Sequence, residues 1–250
     1  MKVKKTPPIE VIDIYKSFKN NVVLDGISFE MKEGEIYSLV GLNGIGKTTI
    51  IKIILGLLSQ DKGEIRIFGN INTNMESKQN VTYLPEKFMP SHLLKGHEFL
   101  SIACGYYGQH YNKAKAEELC VELGFDPRAL NKRVSSYSKG MGQKLGLISV
   151  FLSKSKLLIL DEPMTGLDPS ARIYLKKMLK EYKQEGSSIF FTSHILADIE
   201  EICDRISVLH DGKLHYEGTV TKFISSYKSK SLEESFLRAI EFTTNNKKSA

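Results

Sequence analysis

The amino-acid sequence predicts an α/β fold: a mixed, mostly parallel sheet covered by helices, an N-terminal antiparallel β subdomain and an inserted α-helical subdomain. Three observations carry that prediction. Residues 9–40 hold β-rich runs broken by Asn20-Asn21 and Glu33-Gly34, the pattern of antiparallel strands joined by turns. From about Pro85 to Leu152 the apolar spacing becomes helical. Beyond Leu152, short apolar strands alternate with helical segments, which indicates parallel strands buried on both faces.

Taken in order, the opening β segment ends in the apolar strand Ile36–Val40, which runs straight into a glycine loop. Residues 49–56 are predicted as a buried helix stopped near Gly56. Their isoleucines alone would also suit a strand, and the loop in front decides for helix. Residues 64–69 and Val81–Leu84 read as short strands between turn formers. Residues 114–123 form the clearest helix, closed by Gly124. Strand character returns at residues 157–160, 189–192 and 206–209. Asp211-Gly212 reads as a hairpin turn and residues 231–234 as a capped helix start. The expected organisation is one domain over residues 1–242. In it, residues 9–84 and 153–218 form the β and core portions, 85–152 the helical insertion and 219–242 closing helices, with a flexible tail at 243–250.

Composition narrows the function classes. With 250 residues, 41% hydrophobic and 26% charged, the chain excludes collagen-like, disordered and disulfide-framework proteins. The net charge of +6 comes from scattered lysines, densest in residues 1–5, so it reads as solvated surface and no nucleic acid partner is expected. Cys104, Cys120 and Cys203 lie far apart without paired zinc spacing and read as reduced thiols. Thr6-Pro7-Pro8 stands where a signal peptide would place its apolar core, and no run approaches the ~18 apolar residues of a spanning helix. The expected location is the cytosol.

The segment Gly41-Leu42-Asn43-Gly44-Ile45-Gly46-Lys47-Thr48 fits G-x-x-x-x-G-K-[ST] between a predicted strand and a predicted helix, the context that this motif requires. It specifies a phosphate-loop NTPase core that binds ATP with Mg²⁺. The glycines let backbone N–H groups approach phosphates, and the following helix points its positive dipole end at them. The expected binding set is Gly41, Asn43, Gly44, Ile45, Gly46, Lys47, Thr48 and Thr49. In it Lys47 reaches the β- and γ-phosphates and the Thr48 hydroxyl binds Mg²⁺. The competing reading is a glycine-rich turn with an incidental lysine. Downstream, the apolar run 156–160 surfaces in Asp161-Glu162-Pro163. Adjacent carboxylates at a strand end repel unless a cation or a function holds them. Asp161 is assigned to the Mg²⁺ shell and Glu162 to polarising the attacking water. His194, in Thr192-Ser193-His194, gains no role from its position alone.

Together with Tyr137-Ser138-Lys139-Gly140-Met141, Gly166-Leu167-Asp168-Pro169 and Thr192-Ser193-His194, these motifs occur in the order and spacing of ABC-type ATPases, which the chain resembles from about Ile9 to Glu241. The resemblance implies a homodimer in which ATP lies between the phosphate loop of one copy and Ser138 and Gly140 of the other. It implies that Phe18 stacks on adenine, where tyrosine is more usual; the competing reading is a core phenylalanine. It assigns Asp168 to the loop linking the two sites and gives His194 a catalytic contact with the γ-phosphate. At the usual glutamine position stands Glu86, a carboxylate able to ligate Mg²⁺. Lys139 and Met141 also depart from the usual glycine and glutamine. The segment 138–147 and the run 231–237 resemble ATPases that serve separately encoded ABC-2-type export permeases. The implied partner is therefore an integral membrane permease, with the chain held at the inner face of the cell membrane. A soluble ABC-type ATPase acting on ribosome or DNA is the alternative; the chain has neither the second phosphate loop nor the sustained heptads usual in such proteins. A GTPase or small-molecule kinase fits less well, because Asn131-Lys132-Arg133-Val134 lacks the aspartate of a guanine reader.

Overall fold

The computed structural model describes residues 6–248, so the lysine cluster of residues 1–5 lies outside it, as do residues 249 and 250. The strands are β1 (Ile9–Phe18), β2 (Asn21–Met31), β3 (Ile36–Val40), β4 (Lys62–Ile67), β5 (Asn70–Ile71), β6 (Val81–Leu84), β7 (Leu157–Asp161), β8 (Ser188–Ser193), β9 (Arg205–His210) and β10 (Lys213–Thr219). The helices are α1 (Lys47–Ile54), α2 (Gly96–Tyr106), α3 (Lys113–Glu122), α4 (Lys139–Leu152), α5 (Pro169–Gln184), α6 (Leu196–Ile202), α7 (Val220–Ser226) and α8 (Leu232–Lys248). Contacts divide the chain into one unit running to Lys78 and resuming at Phe190, and a second unit, Gln79–Ile189. The boundaries that the sequence suggests, after residues 84 and 152, both fall inside the second unit.

In the first unit, β2-β1-β4-β5 form an antiparallel sheet. Period-two burial holds at Ile27, Phe29 and Met31 and breaks toward Leu24, where the β1/β2 register shifts around Asp13 and Gly26. β3 belongs to a different sheet from β1 and β2. All five of its residues are buried, and it pairs in parallel with β9, to which β10 adds in antiparallel. Residues 9–40 are thus not one antiparallel run: a strand apolar at every position needs cover on both faces, which a parallel neighbour in a helix-covered sheet supplies. Phe29 of β2, Tyr37 of β3 and Phe190 of β8 stack with centroids 5.5–6.0 Å apart. The Tyr37 hydroxyl and Ser207 Oγ lie 2.5 Å apart, so the buried phenol is satisfied.

In the second unit β6 and β7 pair in parallel, Tyr83 opposite Ile159 and Leu84 opposite Leu160. Helix α4 packs against α2, α3 and β6. Its residues 142–148 are buried on every face, the signature of a helix surrounded by protein rather than lying on a surface.

The helix after the loop begins at Lys47, two residues before the predicted start, and ends with the N–H of Gly56 on Ile53 and that of Leu57 on Lys52. The C-terminal expectation needs correction. Residues 243–248 continue the α8 backbone rather than forming a tail of their own. Ser231 Oγ accepts from the N–H of Glu234 and caps its start.

Because Phe190 is fully buried in the aromatic stack, Phe190→Ala is expected to cost about 3–5 kcal/mol, and Phe190→Leu markedly less. Urea unfolding of both variants measures the difference.

Candidate functional site

The chain leaves β3 at Val40 and enters α1 at Lys47, so the loop must reverse direction against the sheet within a few residues. A side chain at Gly41 would place Cβ 2.7 Å from the carbonyl oxygen of Leu209. At Gly46, with φ +117°, it would lie 2.9 Å from Val23 Cγ1 and 3.3 Å from the Val23 carbonyl oxygen. Glycine is therefore required at both positions for steric reasons. Gly46 caps α1 without a side chain, and no acidic residue occupies the first turn. The positive dipole end of the helix suits an external anion. Lys47 is buried and donates from Nζ to the carbonyls of Gly41 and Leu42 at 2.8 and 3.2 Å. The loop's composition and geometry fit a polyphosphate.

Beside Gly44 and Ile45 lies a largely polar cavity of ≈ 350 Å³, lined also by Asn21, Val22, Val23, Asp211 and Gly212. Phe18 pairs with Asn21 where β1 turns into β2. It is 45% exposed, which sets aside the core reading, and the Lys16 ammonium sits 5.5 Å from its ring centroid. His194 follows β8 and is exposed, and Thr48 and Thr49 are half-buried on α1.

The second unit carries Asp161, Glu162 and Glu86. Asp161 ends β7 and is 1% exposed; Glu162, 6% exposed, follows with φ +51°, a left-handed conformation that costs a non-glycine residue free energy. β6 and β7 run in parallel and in register, so exposed Glu86 leaves the same edge at which Asp161 ends its strand. The Tyr83 phenol is pushed up to about 12, first by burial and then by the negative charges of Asp161 and Glu86.

The same unit carries Ser138, Gly140 and Asp168. Ser138 is exposed and caps α4 by accepting from the N–H of Met141 at 3.2 Å. Asp168 caps α5: its carboxylate accepts from the Ala171 N–H at 2.9 Å and the Ser170 hydroxyl at 2.6 Å, and pairs with Lys144 Nζ at 2.8 Å. Lys144 above all, then Ser170 and the Ala171 amide, hold the carboxyl well below the usual carboxylate range.

The sequence pattern of the ABC transporter family matches residues 24–165, more than half of the chain and all of the phosphate loop. The chain belongs to the ABC transporter family. It is 35% identical over 228 residues to an uncharacterised ABC transporter ATP-binding protein of Synechocystis, a match covering 87% of this chain and 63% of that protein. Two Bacillus subtilis proteins are each 32% identical: the linearmycin resistance ATP-binding protein LnrL, with 87% of this chain and 71% of the relative covered, and the ABC-type transporter ATP-binding protein EcsA, with 92% and 95%. The chain thus spans less than two thirds of the Synechocystis relative and nearly all of EcsA. A solved structure of the ATP-binding subunit of an ABC transporter superposes with a TM-score of 0.84 at 32% identity, covering 93% of this chain and 99% of that one. The chain has the fold of the ABC ATP-binding domains, a family of ATPases.

Within that fold, sequence reasoning passes over Lys144 as well as Asn21, Val23 and Asp211 of the cavity. Lys144 leaves one signal in the sequence: it is a cation inside Gln143-Lys144-Leu145-Gly146-Leu147, a run apolar on both sides of the helix. The cavity residues leave none, since they converge only through the pairing of β1, β2 and the β9/β10 turn.

Gly46→Ala is expected to weaken ATP binding at least about tenfold, because the left-handed backbone and the Val23 contact together cost 1–3 kcal/mol or more. Titration with a fluorescent ATP analogue measures it, and the fold should survive by circular dichroism.

Proposed function

We propose that this chain is the ATP-hydrolysing subunit of an ABC transporter and drives a separately encoded integral membrane permease, of the ABC-2 export type, from the cytoplasmic face. The observation that carries the reading is the glycine loop that leads through left-handed Gly46 into Lys47 at the start of α1, in a chain of the ABC transporter family. Among the described residues, no helix is long and apolar enough to cross a membrane. The export reading draws on the likeness to LnrL, whose name ties that protein to linearmycin resistance, and on Ser138-Lys139-Gly140-Met141.

In this reading the N–H groups of the loop from Gly41 to Thr49 and the ammonium of Lys47 bind the phosphates, and Phe18 stacks on the adenine. Mg²⁺, the family's usual companion of ATP, supplies charge neutralisation at the phosphates when bound; Thr48, Asp161 and Glu86 are the oxygen donors suited to it. Glu162 accepts the proton of the attacking water, and His194 contacts the γ-phosphate. Exposed Ser138 and half-buried Gly140 act on the nucleotide of a second copy, so the working unit is a homodimer. ATP closes that dimer, and hydrolysis with product release reopens it.

Glu162→Gln should leave ATP affinity within about twofold of wild type while lowering turnover by roughly 10²-fold or more, the scale of losing a general base. Unchanged phosphate release in a coupled assay would remove Glu162 from the chemistry.

A further inference from the structure

Lys144 is a lysine at 8% exposure, in the sixth position after the Ser138 cap of α4. A buried ammonium needs partners, and it has two: the Gly124 carbonyl at 3.1 Å and the Asp168 carboxylate at 2.8 Å. The first lies at the turn that closes α3, the second at the cap of α5. One side chain on the signature helix thus ties together the starts of α4 and α5. A second contact joins the same two segments, because a Cβ on Gly140 would sit 3.0 Å from the Gly166 carbonyl oxygen. Gly140 and Lys144 are four residues apart, on one face of α4, and both face the segment 166–168.

We propose that Lys144 is a positioning residue for ATP hydrolysis: by gripping Asp168 and Gly124 it fixes the start of α4, and with it Ser138 and Gly140, in register with the loop that follows Glu162. Asp168 does not lose its cap without Lys144, since Ser170 and Ala171 still donate to it. What is lost is the tie to α4. The signature residues would then reach a facing nucleotide with the wrong offset, and misplacements of about 1 Å cost up to roughly 10²-fold in rate. The inference rests on the reading that Ser138 and Gly140 act on a nucleotide.

The test uses the full-length chain with three changes, Lys144→Met, Lys144→Arg and Ser138→Arg, each checked by thermal melting. Lys144→Met is expected to lower kcat about 10- to 100-fold with KM and ATP Kd within about twofold of wild type, and Lys144→Arg, which keeps the ion pair, to recover most of the rate. Wild-type turnover in Lys144→Met overturns the proposal. Equal loss of ATP affinity and rate, or a lowered melting temperature that accounts for the loss, also overturns it by making Lys144 a fold residue. Ser138→Arg separates the two levels: full activity there removes the signature role itself, whereas a dead Ser138→Arg beside a normal Lys144→Met removes only the role of Lys144.

Discussion

The backbone turn at Gly46 sets the terms for the first unit. A strand buried at every residue has to become a helix between Val40 and Lys47, with a helix start that suits an anion. Only a left-handed residue with nothing on its α-carbon passes beneath Val23, and only a bare α-carbon passes beside the Leu209 carbonyl. The surroundings follow from that path. β2 has to bring Val23 and Leu24 under the loop, β9 has to bring Leu209 beside it, and the stack of Phe29, Tyr37 and Phe190 holds β2, β3 and β8 at the spacing that makes both approaches possible.

Electrostatics organises the second unit in a comparable way. Asp161 and Glu162 end a buried strand as two adjacent acids, an arrangement that favours a cation, and Glu86 issues from the neighbouring strand end. Lys144 balances Asp168 instead, so the carboxylate nearest the signature helix is already committed to an ammonium of its own unit. The two acidic groups are therefore not equivalent: Asp161 and Glu162 stand side by side at a strand end, whereas Asp168 ties two helices.

Much of this was legible in the sequence where local rules dominate. The glycine loop and the strand Val81–Leu84 follow from residue type and spacing, and the structure puts them at those positions. What sequence reading passes over is non-local. The membership of Ile36–Val40 in a parallel sheet depends on a partner more than 160 residues away, Arg205 beside Tyr37. The bulges near Asp13 and Gly26 re-phase β1 against β2 without a turn signal at Asp13. Helix α8 runs through Thr243 and Thr244, weak helix formers that would suggest a tail. Lys144 carries no motif of its own, and its burial between Gly124 and Asp168 becomes visible only when α3, α4 and α5 are packed.

The central claim is that the phosphate loop is half of a catalytic site and Ser138 with Gly140 is the other half, contributed by a second copy. The most direct measurement is sedimentation of the full-length Glu162→Gln chain, which is expected to hold ATP without turning it over, with and without a second change at Ser138→Arg. The account predicts monomers without nucleotide, dimers with ATP, and monomers again with ATP when Ser138 is replaced. A chain that binds ATP and remains monomeric, or a dimer indifferent to Ser138→Arg, would contradict it.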